Sequence, residues 1–375
     1  MSTLNVESIS HPTSGSNVTI NGITPAGTNS LGLRNLIING AMQVAQRGTQ
    51  VTGSTGDGYK TVDRFRISHT SLGTFTYDQD TDAPAGFSDS FKASCTTADS
   101  SPAAGDLLIF MQRVEAQNLQ MLDYGASGAK DLTLSFYVKS NKTGSASVSI
   151  LQNDNSNKLV SFQYSISTAD TWEKKTVTIP GDTAGVIDND NGYGFQVEWF
   201  LNSGSNFTGG SHRSTWTTYN ANDRNVSNLG IGGSTSDYWY ITGVQLEVGS
   251  VATPFEHRSY GDELARCQRY FVTHNCADTY NLVSVGLYAG TTTYIGMHSL
   301  PVSLRDVPSI TTSGNFECAG QGSRAASDIR MADNAVAGNN VIQIRATITG
   351  ATSGEACFLR NSNDATATFQ ISSEL

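Results

Sequence analysis

"YWYITGVQLEVGSVATPFEHRSYGDELARCQRYF", residues 238–271, changes character midway. Its first part alternates apolar and polar residues as a strand does, with Tyr240, Val244, Leu246 and Val248 expected on one buried face. Its last part reads as a short helix. Ser259 can cap it, with Asp262 three residues on as the capping-box partner. Asp262 and Glu263 suit the positive end of the helix dipole, and Arg266 and Arg269 suit the negative end. Leu264, Cys267 and Phe271 form a narrow apolar stripe. A helix of about a dozen residues is marginal alone. It is therefore expected to pack on a neighbouring domain, or on the same stripe in other copies.

Strand patterns flank the helix on both sides. Upstream, "DLTLSFYVKS" places Leu132, Leu134, Phe136 and Val138 on one face, and "SASVSIL" does the same with Ala146, Val148 and Ile150. "KKTVTIP" offers Val177 and Ile179; "FQVEWFL" offers Phe195, Val197, Trp199 and Leu201. Period-two alternation means strands with one buried side. The linking stretches, such as "NDNSNK" and "LNSGSNFTGGSHRS", are turn-forming. "LLIFMQRVEAQNLQML" (107–122) is ambiguous, readable as a strand running into a helical turn. Downstream, "LVSVGLY", "TTTYIGMHSL", "VIQIRATI", "EACFL" and "TATFQI" suit a smaller β-domain. The fold expected is all-β: an extended N-terminal arm (1–33), an antiparallel jelly-roll sandwich (34–257), a linking helix (258–274) and a C-terminal antiparallel β-domain (275–375). The arm has too few apolar residues for its own core. It is expected to be flexible, or to borrow a core from other copies or a partner.

The chain has 375 residues, 37 of them Gly, and a net charge of −10. Its scattered basic residues argue against a nucleic-acid surface. Long apolar runs are missing, so no membrane-spanning helix is expected. The N-terminus lacks the basic and apolar regions of a signal peptide, which implies folding in the cytoplasm of the producing cell. Five cysteines without CxxC spacing suggest buried thiols, not disulfides or zinc.

"LRNLIINGAMQVAQRGT" and "YKTVDRFRI", then "LTLSFYVKSNKTGSASVSI", "TWEKKTVTIPGDTAG", the opening stretch and "SLPVSLRDVPSIT", resemble bacteriophage tail-fibre and related virion proteins, in order from about Asn35 to Ile310. The resemblance implies a jelly roll similar to carbohydrate-binding modules in a homotrimeric, receptor-binding fibre of the virion tail. It further implies adsorption to a host surface glycan or receptor, with residues 1–33 gripping other virion tail proteins. It also allows a structural calcium, without naming ligands.

Sugar recognition needs aromatic faces beside amide and carboxylate groups. "GGSHRSTWTTYNANDRN" supplies Trp216 and Tyr219 with His212, Arg213, Asn222 and Asp223, the expected ligand-binding set. The competing reading is that Trp216 folds back to pin the loop. Trp172, Trp199 and Trp239 are expected in the core. A glycosidase would need two carboxylates about the scissile bond. Asp188 and Asp190 in "VIDNDNGYG" read as turn residues instead, and Glu247 as a solvated or hydrogen-bonded structural group. Without HExxH, GxSxG or P-loop, a non-enzymatic protein is expected. A structural virion component without a ligand and a polysaccharide depolymerase are the alternatives. Residues 315–340 read as a long polar loop.

Overall fold

The structure, a computed structural model, describes residues 34–154, 157–274, 276–332 and 340–375. The arm expected over residues 1–33 lies outside them. The chain divides into two compact units: Met1–Gln43 with Thr49–Arg258, and Val44–Gly48 with Ser259–Leu375. No helix of the described residues is long and apolar enough to cross a membrane.

The first unit runs β1 (Gln50–Ser54), β2 (Gly58–Tyr59), β3 (Phe65–Thr70), β4 (Thr74–Asp80), β5 (Ser90–Thr97) and β6 (Leu107–Glu115). It continues with β7 (Leu132–Ser140), β8 (Gly144–Gln152), β9 (Lys158–Ile166), β10 (Glu173–Ile179), β11 (Tyr193–Ser203), β12 (Thr217–Thr218) and β13 (Tyr238–Val248). The strands form two antiparallel sheets, β1-β4-β5-β13-β7-β10 and β12-β9-β8-β11-β6-β3-β2. One core lies between them. Across it, Phe136 of β7 meets Trp199 of β11 edge-on at 5.6 Å, and Trp239 of β13 meets Phe110 of β6 at 5.7 Å. The alternating residues of "DLTLSFYVKS" all reach this core: Leu132, Leu134, Phe136 and Val138 are fully buried. Each such side chain contributes about 1.5–3 kcal/mol. The ambiguous stretch 107–122 is β6 followed by a 3-10 turn, Ala116–Leu122.

Two core expectations fail. Tyr240 lies on the outer face of its sheet, not beside Val244 and Leu246. A register shift between Thr242 and Gln245 inverts the alternation, so Trp239 and Ile241 face inward before it, and Val244 and Leu246 after it. Trp172 precedes the first residue of β10 and is half-buried outside the core cluster. Trp199 and Trp239 are fully buried, as expected.

In the second unit, helix α1 spans Tyr260–Gln268. The Ser259 hydroxyl accepts the Asp262 N–H at 3.2 Å and donates to its carboxylate at 2.7 Å. The helix is shorter than the sequence suggests, because Phe271 opens a strand. That strand is β14 (Phe271–His274), followed by β15 (Leu282–Tyr288), β16 (Thr293–Ser299), β17 (Ser309–Ser313) and β18 (Phe316–Gly320). Next come β19 (Gly322–Met331), β20 (Val341–Thr347), β21 (Ala356–Asn361) and β22 (Thr368–Ser372). A closed barrel, β15-β16-β20-β19-β18-β21, accompanies a three-stranded sheet, β14-β22-β17. Much of the loop expected over 315–340 is therefore the β18–β19 hairpin, with Phe316 and Cys318 buried. Its Gly, Ala and Ser content hides the alternation. Val44–Gly48 complete this unit: the Arg47 guanidinium lies 3.4 Å above the Phe271 ring and pairs with Glu374 at 3.2 Å. All five cysteines are buried thiols outside any disulfide.

Candidate functional site

The segment 204–231 is anchored on the outer face of the seven-stranded sheet. Ser161 and Arg213 exchange backbone hydrogen bonds, and Ser147 Oγ donates to the Ser227 carbonyl at 3.0 Å. Most of the expected sugar-binding set holds this segment in place. Trp216 donates its indole N–H to the Pro180 carbonyl at 2.7 Å and stacks on Phe195 at 5.7 Å. Asp223 is buried and accepts from the Ser211 N–H at 2.9 Å and Arg213 Nε at 2.8 Å. Burial acts to raise its pKa, but those donors outweigh it and hold the carboxyl below its usual range. His212 shares a hydrogen with Ser227 Oγ at 3.0 Å, and burial pushes its pKa down. Only Tyr219 and Asn222 show clear solvent-facing character without a binding duty to a buried carboxylate. Even Tyr219 accepts from Arg224 at 3.3 Å.

Beneath the segment lies a charge that the sequence alone did not single out. Glu198 of β11 is fully buried. Its carboxylate takes Arg224 Nη2 at 2.6 Å, Arg224 Nε at 3.1 Å and Ser149 Oγ at 2.8 Å, plus the Gln196 amide. Arg224 in turn lies over Phe200 and Phe207, at 5.1 and 5.5 Å. This latch closes the outer face of that sheet.

The other sheet is largely covered on its outer face but carries a depression there. A cavity of about 450 Å³ sits over β7, β10 and β13, lined by Phe87, Tyr137, Phe255, His257, Lys174 and Ser135 among others. Phe87 is its hub, with ring centroids 5.5 Å from Tyr137, 5.0 Å from Phe255 and 5.3 Å from His257. The β13 bulge makes the room. Gly243 has φ +61°, and a Cβ there would lie 2.7 Å from the Phe87 ring and 2.9 Å from Tyr137. The polar residues of the opening stretch build the wall. Glu247 is buried and takes the Gln245 amide at 2.8 Å, the Thr253 N–H at 2.9 Å and the Thr253 hydroxyl at 2.6 Å. Glu256 accepts the N–H groups of Arg34 and Asn35, at 2.9 and 2.8 Å. Burial would raise its pKa, but these donors and Arg258 hold it low. Asn35 ties back to β13 through the Val244 carbonyl and the Leu246 N–H, at 2.9 and 3.0 Å.

Next to the cavity on the same face lies a second aromatic group. Trp172 and Tyr240 meet edge-on at 5.9 Å, and Tyr238 meets Tyr240 at 5.5 Å. Lys139 sits 4.4 Å from the Tyr240 ring centroid and pairs with Asp82, which also accepts the Trp172 indole N–H at 3.0 Å. The Lys139 bond outweighs burial and, helped by the Trp172 N–H, keeps the Asp82 carboxyl below its usual range. Lys92 pairs with Asp80 at 3.3 Å.

Of the acids weighed for catalysis, Asp190 and Glu247 accept hydrogen bonds through their carboxylates. Asp190 Oδ1 caps a turn by accepting the Gly192 N–H at 2.9 Å, and the exposed Asp188 donates its N–H to Asp154 at 3.2 Å. Glu247 is hydrogen-bonded as described above. Among the described residues no group of three or more His, Cys, Asp or Glu could hold a metal ion, so the calcium allowed by resemblance has no acidic ligand set among them.

No protein-family model and no curated protein matches the chain. Among solved structures, it is similar to the enzymatically active domain of tailspike protein 4 of bacteriophage CBA120 (17% identity, TM-score 0.30), over 57% of this chain and 21% of that one. The chain thus spans about a fifth of that tailspike domain. It is also similar to a family 4 carbohydrate-binding module (13%, 0.29; 56% and 97% covered). A family 61 module in complex with β-1,4-galactotriose gives 10% and 0.30, with 58% and 99% covered.

Proposed function

We propose that the chain is a non-enzymatic phage virion fibre protein, of the tail, that attaches to host surface glycans through the outer face of its six-stranded sheet. The observation that carries this reading is the cavity around Phe87. Partly exposed rings of Phe87, Tyr137 and Phe255 stand beside His257, Lys174 and the Ser135 hydroxyl, which is the mixture of apolar faces and hydrogen-bonding groups that a sugar requires. The sequence resemblance over about residues 35–310 supports the virion setting and the homotrimer, and the paucity of apolar residues in 1–33, which leaves that segment to borrow a core, supports the homotrimer and an attachment role for it. Several weak sites on one particle then act together through effective concentration. Tyr219 and Asn222 offer a secondary contact. A head fibre or connector without its own ligand is the second reading, favoured by the internal use of Trp216, Arg213 and Asp223.

Binding of the purified full chain to an immobilised glycan panel separates the two. Attachment predicts selective binding that Phe87→Ala and Phe255→Ala abolish while the protein stays folded. A wild-type chain that binds no glycan leaves the structural reading. Mass determination in solution checks the trimer, which a monomer would refute.

A further inference from the structure

We propose that Trp172 and Tyr238, packed around the buried Tyr240, form a second subsite contiguous with the Phe87 cavity, so that the ligand is an extended, neutral glycan chain and not a single terminal sugar. This rests on the glycan-binding reading above. Strand register places the two groups side by side. Lys139 is the cross-strand partner of Tyr240, and Tyr137 that of Thr242, on adjacent β7 and β13. Tyr137 of the cavity and Tyr240 of the second group are therefore diagonal neighbours, about 7–8 Å apart at the backbone. Lys174 opposes Tyr137 on β10. Trp172 lies two residues before Lys174, about 7 Å back along the strand direction. The aromatic surface thus continues across β13, β7 and β10 beyond the reach of a single sugar ring in the cavity.

The second group is held by contacts of its own. Asp82 fixes the Trp172 indole edge, and Lys139 lies 5.4 Å from the Trp172 ring and 4.4 Å from that of Tyr240. Little side-chain freedom is left to lose on binding. Its charges are balanced in close pairs, Lys139 with Asp82 and Lys92 with Asp80, while Tyr238 donates to Asp170. Such a surface offers donors and acceptors to hydroxyls. Beyond those pairs the group presents the Asp170 carboxylate, which repels a carboxylated sugar, so neutral units are preferred at this subsite.

The test uses the full chain and neutral glucan, galactan and mannan series, from single sugars to hexasaccharides, with uronic-acid oligomers alongside. Affinity measured by interferometry should rise with length until both groups are covered. Trp172→Ala and Tyr238→Ala should lose about tenfold on the long members and match wild type on the short ones. Trp172→Phe, which keeps a ring, should recover most of the loss, and Phe87→Ala should lose binding at every length. Melting curves confirm that each variant is folded. Unchanged long-chain binding in both Trp172→Ala and Tyr238→Ala, with Phe87→Ala impaired, overturns the second subsite and leaves the glycan reading standing. Preference for the uronic-acid oligomers overturns the neutral class. A wild-type chain that binds none of the series overturns both readings.

Discussion

Replacing Arg224 by Met tests the latch that closes one face of the sandwich. Arg224 supplies two of the hydrogen bonds received by Glu198, a carboxylate that has no exposed surface. Met keeps much of the packing over Phe200 and Phe207 but leaves the carboxylate with only Ser149 and Gln196. Stranding a buried charge costs about 3–5 kcal/mol. Tryptophan fluorescence reports the loss cleanly, because all four tryptophans lie in the first unit. With a urea slope of about 2–3 kcal/mol/M, the unfolding midpoint should fall by about 1–2 M. The double variant Glu198→Leu with Arg224→Met removes both charges and should recover most of the loss. A single-variant cost below about 1 kcal/mol, or a double variant as unstable as the single, would refute the claim that a paired buried charge holds segment 204–231 down.

Other consequences can be checked by simpler means. Gly243→Ala should lower the melting temperature and shrink the cavity, since φ +61° is strained for any other residue and the new Cβ meets Phe87 and Tyr137. In the second unit, burial pushes the pKa values of His274 and His298 below their ordinary 6.5. The folded state therefore resists protons that the unfolded chain accepts, so stability is full above pH 6.5 and is lost as pH falls below it. Calorimetry from pH 7.5 to 5 should show this decline, and His298→Phe should flatten it. The Cys318 thiol, pushed up to about 12 by burial, should react with a disulfide reagent only after denaturation. Arg47→Ala should destabilise the second unit by about 1–3 kcal/mol, through loss of the Phe271 contact and the largely buried Glu374 pair.

Particular residues show where sequence reading succeeds. Leu132, Leu134, Phe136 and Val138 alternate without interruption, so periodicity identifies their face, and the Ser259 cap is likewise a matter of neighbours in the chain. Tyr240 shows where it stops: one bulge, invisible to period-two counting, moves this ring out of the core between the sheets to the outer face, where Trp172, Tyr238 and Lys139 bury it. Trp172 looked like core because large aromatics beside strands usually are, yet Asp82 and Lys139, distant in sequence, hold it on the outer face. In the segment 209–225 composition suggested a binding loop. Pro180 and Phe195, distant in sequence, supply the contacts by which Trp216 pins that segment.

The amino-acid sequence by itself determines the all-β class, the buried faces and the short capped helix, because each depends on spacing within a few residues. Only the tertiary structure decides which polar and aromatic groups remain available. The partners that bury Glu198 or surround Phe87 come from segments far apart in the chain, and they meet only when the strands pair and the connecting segments fold back over the outer faces of the sheets.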